Sequence, residues 1–572
     1  MTLRYLRVAL ILSTAAAAAA PVAAQGAGKA APPPPLHRAP RPTKPAIEAA
    51  DLMTRLYILA DDSMLGRQAG SLGNVRATDY IAAEARRIGL QPAGEKKGSF
   101  FQTIPLVMRT PDTTALLIAG ADTLARGRDY IAIPGLPSFH FGWGFASEGA
   151  PAIYAGRLAD TAALAPERIA GKVLVFAPRA PGGRPPFDFY SQDIAWERYR
   201  GAALVLVAVL DIAPPFMVQQ ASNPWPALVG APMAGAPPGI VVTGAVAERL
   251  FGKPLDQLQP GDEGASVAGR VGFVDHPTPY PARNVIAMLP GRTPRLRAEY
   301  VAVTAHSDHV GTGPAVPHDS LEAYNRVMRA GDGRYDRQPT EEQWARILEL
   351  RDSLRAVWPE RPDSVFNGAE DNATGSVALL EVAERLAAGP RPWRSILFVW
   401  HTAEEIRYLG AEWFTEHPTV PRGAIVANIN LDGTGKRLPV RRDIPGALQG
   451  DLLVVGAGRL STTLGQLVEE FATRDGIVLD RQKDAPGDPS DYYCRSDHYL
   501  YARFGIPAVF FTVGAEYPAY HQLNDDAQYI DYTHLERTTR YMADLTMAVA
   551  DLDRRPALDR GRTTDPYGTC QQ

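Results

Sequence analysis

Cysteine is nearly missing from this chain, with two residues in 572. A single pair can build neither a thiolate cage for a metal nor a disulfide framework. Any bound metal must therefore sit on imidazole and carboxylate. Excess positive charge is missing as well: 59 Lys and Arg stand against 63 Asp and Glu, a formal net charge of -4. Without a basic field there is no general attraction to nucleic acid or to an anionic membrane surface, and no nucleic-acid partner is expected. After the N-terminal stretch no run approaches 18 uninterrupted apolar residues, so nothing is expected to hold the folded chain in a bilayer. The 51 glycines and 50 prolines follow no triplet repeat, which sets collagen aside and points to many loops. What remains is a chain that is 45% hydrophobic and long enough for several folding units with ordinary cores.

In Met1–Ala24, Arg4 and Arg7 precede an apolar run from Val8, and small residues follow, with Val22 and Ala24 suited to the −3 and −1 cleavage positions. This is the pattern of a secretory signal peptide, so a secreted or periplasmic location is expected. In such a compartment Cys494 and Cys570 can pair, and the alternative of two free thiols stays open. Residues 25–45, rich in Pro and Ala, read as an extended linker. Residues 46–110 open the main unit. There the spacing of Ile47, Leu52, Leu56 and Leu59, and of Tyr80, Ile81, Ala85 and Ile88 before Gly89, predicts two helices.

Between 111 and 275, short apolar runs such as Lys172–Ala177 and Ala203–Val209 are separated by Pro/Gly-rich stretches such as Arg179–Pro186. They predict a separate β-rich module. From 276 to 555 apolar strands alternate with amphipathic helices: Asn284–Leu289, Tyr300–Ala305, Ile396–Trp400, Ile425–Leu431, Leu452–Val455 and Ala508–Val513. This rhythm predicts an α/β layer around a mostly parallel sheet, with ligands collecting at the carboxyl ends of the strands. Residues 312–366 interrupt it. A Thr340/Gln343 capping box opens the segment Glu341–Trp358, which predicts a helical flap beside the site, with Trp344, Ile347, Leu348, Leu354 and Trp358 as its core. Residues 556–572 form a tail.

Three of the predicted strands run into polar residues of one chemical kind. Tyr300–Ala305 leads to His306-Ser307-Asp308-His309, Ile396–Trp400 to His401-Thr402-Ala403-Glu404-Glu405, and Ile425–Leu431 to Asp432-Gly433. Asp371 stands in Glu370-Asp371-Asn372-Ala373-Thr374-Gly375 ahead of the helix Ser376–Leu386, and His521 in Tyr520-His521-Gln522-Leu523-Asn524-Asp525. Mixed imidazole and carboxylate ligands suit zinc, with cobalt or manganese as substitutes, and five of them hold two ions if one carboxylate bridges. In the adjacent pair Glu404 and Glu405, one carboxylate can bind metal while its neighbour faces water; composition leaves open which does which. His309, His401, His318 and His417 show no ligand spacing, and His417 before Pro418 reads as a surface turn. His498 is expected to pack or hydrogen-bond near the site. For the loop Asp484–Cys494, pocket wall and solvated loop are equally open.

The motifs HxD, EDNxTG, EE, NLDG and YHxxxD, in this order, resemble metallopeptidase family 28, the dizinc exopeptidases related to bacterial leucyl aminopeptidase and glutamate carboxypeptidase II. DSMLGR at 62–67, GLQP at 89–92 and Phe101-Gln102 resemble the family's opening. The resemblance implies a three-layer α/β/α zinc-exopeptidase fold with a mixed, mostly parallel sheet, and a protease-associated domain over 111–275. It implies that Asp371 bridges two zinc ions, with Glu405 and His521 completing one site and His306 and Asp432 the other. Asp308 would orient His306, Glu404 would be the general base and Asp525 would orient His521. The implied activity is that of an aminopeptidase acting on peptides. A carboxypeptidase of the glutamate carboxypeptidase type, a single-zinc glutaminyl cyclase and a non-catalytic receptor-like homologue are the alternatives, and oligomeric state is left open.

Overall fold

The computed structural model describes residues 37–132, 144–158, 164–179, 196–213, 224–229, 237–328, 339–357, 361–437, 450–485, 492–514 and 517–561. The expected signal peptide, most of the linker, residues 180–186, Trp358, residues 486–491 and Cys570 lie outside them. Among the described residues no helix is long and apolar enough to cross a membrane.

The main unit is built on a nine-stranded mixed sheet. In spatial order its strands are Gln91–Pro92, Ala282–Leu289, Ser395–His401, Tyr300–His306, Ile425–Leu431, Ala508–Thr512, Leu452–Val455 and Leu479–Asp480, and Phe101–Ile104 also pairs with Ala282–Leu289. The four strands from Ser395–His401 to Ala508–Thr512 run parallel, and the neighbours on either side are antiparallel to them. Both faces of these strands are apolar, so alternate residues enter different cores. Val301, Val303, Ile396, Phe398 and Trp400 pack under the helices Ala49–Leu59, Gly375–Ala388 and Tyr532–Ala550. Ala302, Leu397 and Val399 face Phe414 and Tyr501 on the other side. This is a three-layer α/β/α arrangement.

Tyr300–His306 lies between Ser395–His401 and Ile425–Leu431, although the chain visits those two strands one after the other. The winding therefore reverses at Tyr300–His306, and the crevice this opens at the carboxyl ends is where open α/β sheets bind ligands.

Eight strands lying between Leu117 and Val271 form a second sheet covered by apolar clusters on both faces. The chain enters it through Leu106–Pro111 and leaves through Phe273–Pro277, which pair with each other, while Arg109 Nε and Nη2 donate to the Asp275 carboxylate at 2.5 and 2.7 Å. Entry and exit thus meet, as an insertion between two strands of the main sheet requires.

In the interrupting segment, Thr312–Pro317 pairs with Pro362–Val365 and carries the helices His318–Met328 and Glu341–Arg355. The Thr340/Gln343 capping box is present in both directions. The expected apolar core of the flap is not. Among its described residues only Ile347 is buried, and Trp344 and Leu348 are 46% and 43% exposed. Two helices make too thin a layer to cover both sides of one another. What fastens the flap is polar: Asn325 Nδ2 donates to Asn524 Oδ1 at 2.8 Å, Asn524 Nδ2 donates to Glu322, and Arg361 pairs with Asp526 at 3.1 Å.

The end of the proline-rich stretch is also attached, contrary to its composition. Thr43 Oγ1 donates to Glu384 Oε2 at 2.8 Å and accepts from Arg55 and Arg87. Arg55 is fully buried between three helices and meets Glu84 at 3.1 Å, Glu384 at 2.5 Å and Glu381. Arg55→Met strands these carboxylates in the interior. A loss of about 3–5 kcal/mol of unfolding free energy is expected, read from urea denaturation; a loss below about 1 kcal/mol would mean that the helices do not depend on this cluster.

Candidate metal centre

The site begins with turns. The strand Tyr300–His306 is hydrogen-bonded across its whole length, which sets His306 at the mouth of the crevice, and Ile425–Leu431 does the same for Asp432. Asp371 comes from the EDNATG segment, whose motif residues have separate structural tasks. Asn372 Nδ2 donates to Leu431 O at 2.8 Å, and its Oδ1 accepts from Gly375 N and Gly433 N, both at 3.0 Å. One amide thus ties the loop of Asp371 to the loop of Asp432. Gly375 is required because a Cβ there would stand 2.2 Å from Asn372 Oδ1 and 2.4 Å from Leu431 O. Ala403 and His521 adopt φ of +59° and +52°, left-handed conformations costly to residues with a Cβ, which aim Glu404 and His521 inward.

The five expected ligands converge in two lobes that share one carboxylate. His306 Nε2 is 3.2 Å from Asp371 Oδ1 and 3.3 Å from Asp432 Oδ1. His521 Nε2 is 2.9 Å from Asp371 Oδ2 and 3.0 Å from Glu405 Oε2. Each oxygen of Asp371 therefore serves a different lobe. His306 Nδ1 lies 3.2 Å from the carbonyl of Asp308, an obligate acceptor, so this nitrogen carries a proton and Nε2 is the one directed at the centre. The donor set, its burial and the divided carboxylate fit two zinc ions.

In this donor set, charge is balanced by protons on the imidazoles. Burial works against a charged His306, yet the carboxylates of Asp432 and Glu404 and the bond to Asp308 outweigh it and hold its pKa well above the ordinary histidine range. His521 is raised in the same way, with burial opposed by Glu405 and Asp371. Burial pushes Asp371 up, but its bonds to His306 and His521 hold it well below a normal carboxylate. Glu405 lies at about 2, since His521 and His309 outweigh both burial and Asp371. Glu404 is the exception: burial raises it strongly, His306 offsets only part, and Asp432 and Glu405 add to the rise.

Several supports were not anticipated from sequence. His309, left outside the ligand set, has Nδ1 2.6 Å from Glu405 Oε1, so it orients that carboxylate and belongs to the second lobe. Ser496 Oγ donates to Asp432 Oδ2 at 2.6 Å and accepts from Asn430 Nδ2 at 2.8 Å. Glu370, pushed up to about 8 by burial, accepts from Gly435 N and Lys436 N. The signals for these were present in the second His of HSDH and in the Ser of RSDH, but nothing in spacing distinguished them from packing residues.

Two expectations are revised. Asp308 stands 3.6 Å from His306 Nδ1 but also accepts from Glu404 N at 3.1 Å, so its carboxylate orients the ligand loop and the Glu404 turn together. Asp525 does not orient His521. It accepts from Glu370 N at 3.0 Å, Asp371 N at 3.2 Å and Tyr517 Oη at 3.2 Å, holding the Asp371 loop instead.

Four further histidines considered from the sequence have partners outside the centre. His401 Nε2 is 3.1 Å from Tyr501 Oη. His498 stacks on Phe510 at 4.8 Å. His417 is close to Trp413 and its carbonyl accepts from Gln102. His318 meets Asp363 and Asp526, but the Arg361 guanidinium sits 3.0 Å from His318, 3.3 Å from Asp363 and 3.1 Å from Asp526, so an arginine already supplies the cation there. Cys494 is disulfide-bonded.

Beside the centre an open cleft is lined by Asp371, Glu404, Asp432, Tyr492, Arg495 and Tyr520, among others. Tyr492 answers the question left by the Asp484–Cys494 loop at its described end: it is a wall of the cavity.

Residues 284–546 match peptidase family M28. These residues, a little under half of the chain, form a domain that matches this family. Curated relatives of the chain include a probable glutamate carboxypeptidase AMP1 of Arabidopsis thaliana, 30% identical over 172 residues that make up 28% of this chain and 23% of the relative. Leupeptin-inactivating enzyme 1 of Streptomyces exfoliatus is 28% identical over 162 residues, 27% of this chain and 32% of the relative. The matches thus cover about a quarter to a third of those relatives. Among solved structures, an aminopeptidase from Aneurinibacillus sp. strain AM-1 has a TM-score of 0.44 and 16% identity, covering 90% of this chain and 97% of that one.

The raised imidazoles set a pH dependence. A folded-state histidine pKa above the unfolded value contributes stability fully below the unfolded pKa, near 6.5, and loses it as pH rises through the folded value. The metal-free protein therefore weakens with rising pH, while a metal, which must displace the same protons, binds more tightly. The zinc-induced rise in Tm is expected to be larger at pH 8 than at pH 6 by scanning calorimetry with and without chelator. A shift that shrinks with pH would contradict the assignment. Asp371→Asn, which weakens both lobes, should lower zinc content from about two per chain to below one, measured by elemental analysis.

Proposed function

We propose that this chain is an exported zinc-dependent exopeptidase that hydrolyses N-terminal residues from peptides, with Glu404 as general base. The observation that carries this reading is the position and state of Glu404. It lines the cavity together with Asp371 and Asp432, its Oε2 is 3.9 Å from His306 Nε2, and burial raises its pKa well above the ordinary carboxylate range. Glu405, by contrast, is engaged on both oxygens, by His309 and by His521. Structure therefore supports the assignment of roles within the pair that composition left open.

Two zinc ions would supply Lewis-acid polarisation of the scissile carbonyl and of a water. The chain does the rest. Asp371 divides its oxygens between the lobes and keeps them at a set spacing. His309 restrains Glu405, and Ser496 restrains Asp432, so both carboxylates keep one orientation while charge shifts. Glu404 takes a proton from the attacking water and returns it to the leaving amine; its raised pKa suits a group that must hold the proton between those steps. Asp308, through Glu404 N, fixes where that carboxylate stands.

The divided carboxylate of Asp371 favours two ions over the single ion of a glutaminyl cyclase, and the complete donor set disfavours a receptor-like homologue. The relatives' printed names include both aminopeptidases and a glutamate carboxypeptidase. A panel of peptides with free or blocked ends decides between those: hydrolysis confined to N-blocked substrates would remove the aminopeptidase reading. The Met1–Ala24 pattern supports export, and the inserted eight-stranded sheet is in keeping with a protease-associated domain.

Glu404→Gln should lower kcat by about 10²–10⁴ while zinc content stays at the wild-type level. Turnover near wild type with metal bound would refute the general-base role. Chelation should abolish hydrolysis and zinc should restore it.

A further inference from the structure

The acids of the cavity are all committed, to the metal lobes or to proton transfer, but one charged group in its wall is not. Arg495 is the one basic side chain among its lining residues. Its guanidinium lies over the Tyr492 ring at 5.0 Å and has no carboxylate or hydrogen-bond partner among the described residues. Its root is held at a fixed place relative to the centre. Arg495 N donates to Tyr492 O at 3.2 Å, the preceding Cys494 is disulfide-bonded, and the following Ser496 donates to Asp432 at 2.6 Å. Arg495 is exposed to the cleft; the groups crowded around it desolvate the guanidinium, but the phenols of Tyr520, Tyr492 and Tyr408 and the carboxyl of Glu404 more than offset this, so it stays cationic.

A guanidinium in this position repels an ammonium group and offers a planar fork of donors that a carboxylate can accept from on two oxygens. In a concave site walled by aromatic rings, such a pair is screened less than at a flat surface. We propose that Arg495 is a specificity-determining residue that pairs with a carboxylate of the bound substrate, so that the preferred peptides carry an acidic group beside the scissile bond. This rests on the hydrolase reading. The carboxylate has two sources of identical chemistry, an acidic side chain and the free C-terminus of a short peptide.

Four small ligands separate them by calorimetry on the zinc-loaded protein: glutamate, glutamate α-amide with only the side-chain acid, glutamine with only the α-acid, and glutaminamide with neither. At least one singly acidic ligand should bind about 10-fold or more tightly than glutaminamide, the charged pair being lost in the latter. In Arg495→Gln that ratio should fall to about 1, and in Arg495→Lys, which keeps the charge without the fork, it should lie between. Which singly acidic ligand loses its advantage identifies the source. Ratios that are unchanged in Arg495→Gln, or no preference in the wild type, overturn the proposal. Turnover of Glu- and Gln-initiated peptides, and of free and amidated C-termini, is followed in parallel. If the zinc-loaded protein hydrolyses none of them, the hydrolase reading fails, while the binding ratios still decide the role of Arg495.

Discussion

Carboxylates gathered in a buried crevice repel one another, and this constraint organises the molecule. Asp371, Glu404, Glu405, Asp432, Asp308 and Asp525 all lie at the carboxyl edge of one sheet, and most of them are buried. Burial alone would force several to take up protons. The fold opposes that with positive charge of graded mobility. Imidazolium at His306 and His521 is displaced when metal arrives, whereas other contributions are permanent.

Arg67 is the clearest permanent one. Its side chain is fully buried and donates to the carbonyls of Leu59, Ser307, Asn367 and Gly368, without a carboxylate in direct contact. Burial lowers its pKa to about 10, still charged at neutral pH, and Asp308, Asp371, Asp525 and Glu405 act on it from a distance. One side chain thus bonds the loop of His306 to the loop of Asp371 and places a cation behind both. Backbone amides add to this: Asp525 is held by Glu370 N and Asp371 N, and Glu370 by Gly435 N and Lys436 N. These bonds knit the ligand loops to each other rather than to the sheet, so the metal geometry is set by the loops as a group.

The insertions follow the same logic at longer range. The flap is fastened through Asn325, Glu322 and Arg361 to Asn524 and Asp526, next to the Asp525 that holds the Asp371 loop. Its attachment is polar because the surface it meets is already polar, and its apolar residues Trp344 and Leu348 are left half exposed. The periodicity of a single helix cannot reveal that, since an apolar stripe looks the same whether or not a partner layer is thick enough to cover it. Pro-rich composition hid the docking of Thr43 for a related reason: extended backbone makes no periodic pattern, and its contacts are with residues hundreds of positions away.

Local pattern determined a good deal by itself. Alternating strands and helices specify a layered α/β unit, because apolar period fixes which faces must be buried, and the polar residues that end Tyr300–Ala305, Ile396–Trp400 and Ile425–Leu431 mark the edge where chemistry is placed. The five candidate ligands were legible because metal binding needs imidazole and carboxylate, which stand at strand ends for His306, Glu405 and Asp432 and in loops for Asp371 and His521. Tertiary structure alone decided what surrounds them. His309 became a partner of Glu405, Asp525 a clamp on the Asp371 loop, Arg361 the cation of the His318 cluster and Arg495 a cation lining the cavity without a carboxylate partner among the described residues. Each of those roles depends on distance and direction between residues far apart in the chain, and neither is encoded in residue type or in local spacing.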